Sequence, residues 1–129
     1  REKVQSTISP LSQNDLMTAR KEVLSVHMSQ ALENYLIQII MATRNPAAFD
    51  SSLSQWVRYG ASPRGTIALD RCAKALAWLS GRDYVTPADI QEIAHDVLRH
   101  RILLRYEAEA EGMTTDNLID TILRLVVVP

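Results

Sequence analysis

Residues 62–98 read SPRGTIALDRCAKALAWLSGRDYVTPADIQEIAHDVL, and this stretch decides the fold. Each half opens on a hydroxyl residue followed by proline, Ser62-Pro63 and Thr86-Pro87. Proline suits the first helical position because its missing N–H would have no intrahelical partner there, and its φ is already helical. Asp89 stands where the acid of a capping box belongs. The spacing therefore predicts two helices. The first buries Ala68, Cys72, Ala75, Leu76 and Leu79 and stops at Gly81. The second buries Ile90, Ile93, Ala94, Val97 and Leu98. Cys72 on an apolar face reads as an inert, buried thiol.

Working outward, Leu32, Tyr35, Leu36, Ile39 and Ile40 form one apolar stripe behind the N-cap candidate Ser29. Asn45-Pro46 ends that helix near Arg44, since the residue before proline is pushed out of the α region. An extended link over residues 24–28 joins it to an earlier helix, capped by Ser12, with Leu16, Met17, Ala19, Arg20 and Val23 spaced for one buried face. Residues 46–60 form a long connector with one short turn around Leu53, Trp56 and Val57. Residues 102–111 (ILLRYEAEAE) fit a helical extension or an extended segment. Thr115 caps a last helix that turns Leu118, Ile119, Ile122 and Leu123 inward, and residues 125–128 form an extended tail. The predicted fold is all-α, a small bundle of about five helices with a short extended C-terminal tail.

Composition narrows the function. The 129 residues are 47% hydrophobic and 22% charged, with a formal net charge of -1, as expected of one globular domain. Near-neutral charge gives no general attraction to nucleic acid. Four glycines (Gly60, Gly65, Gly81, Gly112), none followed by Lys, exclude a GxxxxGK[ST] phosphate loop within these residues. The longest apolar runs, 75–79 and 125–128, are far short of a membrane span. An Arg at position 1 suggests a piece of a longer protein, and no basic-then-apolar leader opens it. Residues 1–11 then read as a lead-in and residues 12–129 as the domain.

The chemistry-bearing side chains mostly have structural explanations. His27, His95 and His100 lack metal-site spacing. Glu107, Glu109 and Glu111 suit a solvated surface. Arg99, His100 and Arg101 suit the negative end of their own helix. Arg64 is different. It lies in a first helical turn, where backbone N–H groups and the helix dipole already create positive potential. A cation is unfavourable there unless an anion is bound. Gly60 and Gly65 on either side suggest close backbone approach and a flexible entry.

GASPRG at 60–65, GRDYVTPADI at 81–90 and VLRHRI at 97–102, in that order, resemble the C-terminal lid of MoxR-family AAA+ ATPases. Residues 26–44, closing on Ala42-Thr43-Arg44, are similar to the start of that lid, and residues 126–129 to its strand-like end. The resemblance implies an AAA+ lid-type bundle over 12–129, with residues 1–11 leading in from an ATPase core. It implies that Arg64 contacts the γ-phosphate of ATP bound to that core, where Mg²⁺ is also held. No nucleotide is expected to be held by this fragment alone, and alone it should be inactive. Implied partners are the core, neighbouring subunits of a ring (commonly a hexamer) and a von Willebrand factor A domain protein. The implied role is chaperone-like assembly of other proteins in the cytoplasm, with neither nucleic acid nor a membrane span involved. The alternative is a helical protein-interaction or regulatory module without a nucleotide role, using an exposed Trp56–Tyr59 connector and the Glu-rich 107–111 segment. A histone-like or helix-turn-helix DNA binder is a weaker option, because the helix beginning at Thr86-Pro87 carries Asp89, Glu92 and Asp96 in place of a basic face.

Overall fold

The computed structural model describes residues 10–129. Of the lead-in expected over 1–11, residues 1–9 therefore lie outside the described residues. The chain builds α1 (Gln13–Leu24), α2 (Gln30–Arg44), β1 (Val57–Tyr59), α3 (Arg64–Leu79), α4 (Pro87–Leu98), β2 (Leu103–Leu104), α5 (Tyr106–Ala110) and α6 (Thr115–Leu125). The predicted all-α bundle is thus present, joined by a minimal two-stranded sheet. The connector contains two short 3₁₀ turns, Pro46–Ala48 and Ser51–Gln55. The 102–111 segment is partly strand and partly helix, which supplies the sixth helix.

Local sequence explains where the helices begin and end. Ser12, Thr86 and Thr114 each make a reciprocal capping box with the third helical residue, and Ser29 accepts from the Leu32 amide. The last helix is thus capped by Thr114, one residue before the expected Thr115, because Asn117 sits three residues after Thr114 and completes the box. Gly81 adopts φ +80°, and the Arg82 amide donates to Ala77 O at 2.9 Å, so the left-handed residue closes α3 as predicted. The extended link expected over 24–28 is shorter, because α1 runs through Leu24 and Ser25 keeps a helical backbone: only around His27 is the chain extended, where it forms a parallel bridge with Tyr84, donating to Asp83 O at 2.8 Å and accepting from Val85 N at 2.9 Å. Val126 is extended, but no strand forms over residues 126–129.

The core is one cluster in which Leu36, Ile39, Leu53, Leu69, Ile90, Leu98, Leu118, Ile119 and Ile122 are fully buried. Two predicted faces require correction. α3 turns Gly65, Leu69, Ala73 and Ala77 inward, and Cys72 and Leu79 are exposed. Three of those four residues are Gly or Ala, so this stripe lets α3 approach α2 and α4 closely. The bulkier neighbours are left on the flank, and Cys72 faces outward. α1 contributes no buried residue. Its apolar residues Leu16 (53% exposed), Ala19, Val23 and Leu24 instead form one wall of a groove against Ala75, Trp78 and Leu79 of α3, while Met17 is 58% exposed. Trp78 Nε1 donates to Glu22 at 2.9 Å and ties the two walls.

Candidate functional site

Arg64 is the first residue of α3 and is exposed. The start lies one residue later than Ser62-Pro63 predicts, since Pro63 occupies the cap position without a side-chain cap. Ser62 still acts locally: its hydroxyl accepts from Arg64 N at 3.3 Å and its carbonyl from Gly65 N at 2.8 Å, while Pro63 O accepts from Thr66 N at 3.0 Å. The first-turn amides are therefore already engaged. What remains for an anion is the Arg64 guanidinium, backed by the positive end of the helix.

The loop before Arg64 is fastened to the end of α2. Thr43 Oγ1 donates to Ile40 O at 2.7 Å and accepts from Ala61 N at 3.0 Å, while Arg44 Nη1 donates to Ala61 O at 3.2 Å. Thr43 is fully buried, so its hydroxyl satisfies an amide that water cannot reach. A Cβ on Gly60 would lie 2.1 Å from Thr43 O, and one on Gly65 would lie 2.9 Å from Ile40 Cδ1. Neither glycine has a positive φ. Their role is close packing of this loop onto α2, and the flexible entry expected from sequence is replaced by a fixed one. Thr43 and Arg44 were invisible as positioning residues, because their partners lie 17 to 18 residues away in the chain.

Around Arg64, Ser62, Ile67, Ala68, Arg71 and Arg101 line a surface depression of about 540 Å³. Arg71 lies seven residues along α3, hence on the same helical face as Arg64. Arg101 arrives from the end of α4, its Cδ 4.0 Å from where a Gly65 Cβ would sit. Among the described residues, none of Arg64, Arg71 and Arg101 forms an ion pair.

Arg82 and Arg99 are occupied. Arg82 grips Asp89 with two bonds of 2.7 and 2.6 Å, and the Thr86 amide donates to the same carboxylate at 2.8 Å. The Arg82 guanidinium holds the Asp89 carboxyl below its ordinary value, outweighing the opposing effect of burial. Arg99 bonds Asp116 at 2.9 and 3.2 Å and Asp96 at 3.2 Å, lowering the Asp116 carboxyl likewise. The predicted basic cluster at 99–101 is therefore split. Arg99 joins α4 to α6, while Arg101 Nε bonds Val97 O at 3.1 Å at its own helix end. His95 Nε2 lies 2.6 Å from Asp120. Trp56 is half-buried against the core and Val57 is buried, so the connector is less exposed than the interaction-module alternative assumes, although Tyr59 is 62% exposed. Among the described residues, no helix is long and apolar enough to cross a membrane.

The AAA lid domain family matches residues 52–122. Chaperone MoxR1 of Mycobacterium tuberculosis is 36% identical over 120 residues, which cover 92% of this chain and 32% of that protein. Protein MoxR of Paracoccus denitrificans is 38% identical over 110 residues, 80% of this chain and 32% of that protein. A crystal structure of a proposed ATPase from Cytophaga hutchinsonii matches with a TM-score of 0.89 at 48% identity, covering 92% of this chain and 36% of that one. The chain thus spans about a third of the length of the curated relatives it matches.

Proposed function

The chain belongs to the AAA lid domain family, and from that premise we propose that it serves as the lid of a MoxR-type AAA+ ATPase, with Arg64 as its nucleotide sensor. One observation carries the proposal. The loop over residues 60–63 is bonded to α2, and it presents an exposed arginine, without a carboxylate partner among the described residues, at the positive end of α3. A preorganised cation of this kind stabilises negative charge developing on a transferring phosphoryl group without first having to reorganise. ATP and Mg²⁺ would be held by the core outside residues 12–129, with residues 1–11 leading in from it. The chain alone would then hydrolyse nothing.

The open groove between α1 and α3 suits contact with that core, because its lining is mostly apolar, with Arg20 and Arg71 as its charged members, and α1 follows directly on the lead-in. Lid movement would couple hydrolysis to motion between ring subunits, in chaperone-like assembly work in the cytoplasm beside a von Willebrand factor A domain protein.

Hydrogen exchange on the full-length ATPase tests the placement of the sensor. A non-hydrolysable ATP analogue should slow amide exchange over residues 61–67 in the wild type, and Arg64→Ala should remove that protection. Equal protection in both proteins would contradict it.

A further inference from the structure

We propose that Arg71 and Arg101 join Arg64 as a cradle of three guanidinium groups for a short chain of linked phosphates. The proposal rests on the sensor role of Arg64 and extends it. The lid would grip several phosphates at once and so distinguish a triphosphate from a diphosphate.

Two elements bring the cradle together. Arg64 and Arg71 stand seven residues apart on α3, about 10 Å along one face of the helix, and long side chains can converge from both ends of that interval. Ile67 and Ala68 lie between them on the same face and line the depression. Arg101 enters from the turn that follows α4. Its stem passes beside Gly65, and its Nε bond to Val97 O fixes that stem while leaving both terminal nitrogens free of protein acceptors among the described residues.

Local charge is unbalanced. Asp70 precedes Arg71 but engages Lys74 at 3.2 Å, so it does not neutralise the cluster. Arg82 and Arg99, by contrast, hold carboxylates. Three arginines without a carboxylate partner among the described residues line one depression, on a chain whose net charge is -1, so an anion entering it meets an excess of positive charge. Guanidinium groups bind phosphate oxygens through paired N–H bonds, so three of them on two elements suit several linked phosphates better than a single small anion.

Inorganic tripolyphosphate is a suitable probe, because the base and sugar of a nucleotide are expected to be held outside this chain. It would be titrated at low salt into the 129-residue chain, with pyrophosphate, sulfate and a single-stranded oligonucleotide as comparisons. Binding would be followed by NMR of the amides and arginine Nε–H groups. The expected result is weak, millimolar association that shifts Arg64, Arg71 and Arg101 together and is tighter for tripolyphosphate than for pyrophosphate. Arg71→Gln and Arg101→Gln should each weaken it about twofold to fivefold, the range for an exposed charge pair, and narrow the preference between the two probes. The same spectra verify that each variant remains folded.

Wild-type binding in both variants, or binding of tripolyphosphate no tighter than of sulfate, would overturn the inference. So would an oligonucleotide that binds more tightly at equal phosphate concentration. Loss of binding confined to Arg64→Gln would also overturn it while leaving the sensor role intact. Weakening in Arg71→Gln and Arg101→Gln with none in Arg64→Gln would overturn the three-arginine cradle as well, while the sensor role is tested separately by hydrogen exchange on the full-length ATPase.

Discussion

Arg64 and Asp89 show what a single residue discloses in a sequence and what it conceals. Arg64 was legible because a cation in a first helical turn opposes the dipole, and that mismatch depends only on local position. Asp89 was legible as the acid of a capping box. Its second partner, Arg82, stands seven residues earlier, in the loop between Gly81 and α4, and meets it only once that loop folds back onto the start of α4. Asp89→Asn should cost about 2 kcal/mol in chemical denaturation, by removing a doubly bonded and nearly buried carboxylate from Arg82 and the Thr86 amide. Acid should act in the same direction. Folded Asp89 and Asp116 hold their protons less tightly than the ordinary value of 3.8, so the unfolded chain binds more protons in that range. Their contribution is present above about pH 4 and is lost as pH falls through the folded values. Thermal midpoints measured across that range should fall on acidification, and the slope should be shallower in Asp89→Asn.

At the scale of elements, periodicity revealed α2, α4 and α6 with their inward faces, because each carries one dominant apolar stripe. α3 carries two overlapping stripes, and hydrophobicity alone selected the bulkier one containing Cys72 and Leu79. Packing selected Gly65, Leu69, Ala73 and Ala77, because small residues permit close helix contact. Replacing Ala77 with Leu should therefore cost about 1–3 kcal/mol through overpacking, whereas Cys72→Ser on the exposed side should leave the unfolding midpoint nearly unchanged. The loop joining β1 to α3 depends on a contact invisible in one dimension. Gly60→Ala would drive a Cβ into the Thr43 carbonyl and force the backbone to move, displacing Arg64. Thr43→Val would strand the buried Ala61 amide at a cost of about 1–3 kcal/mol. Both variants should unfold at lower denaturant concentration than the wild type.

For the whole molecule, the ordered motif series pointed to a lid, and the family match over residues 52–122 agrees. Less legible was the division of its surface. α1 was expected to bury a face and instead lies open beside α3, and the arginines at 71 and 101, separate in sequence, converge with Arg64 on one depression. Such features depend on which elements are brought side by side, and no local pattern encodes them. In the proposed function Arg64 acts on nucleotide held by the ATPase core. The most direct test of that role is the rate of ATP hydrolysis at saturating ATP by the full-length ATPase carrying this lid, wild type against Arg64→Ala. A sensor role for Arg64 predicts a fall of about tenfold or more, from loss of one charge contact in the transition state, with no change in unfolding midpoint. Equal turnover in the two proteins would contradict it.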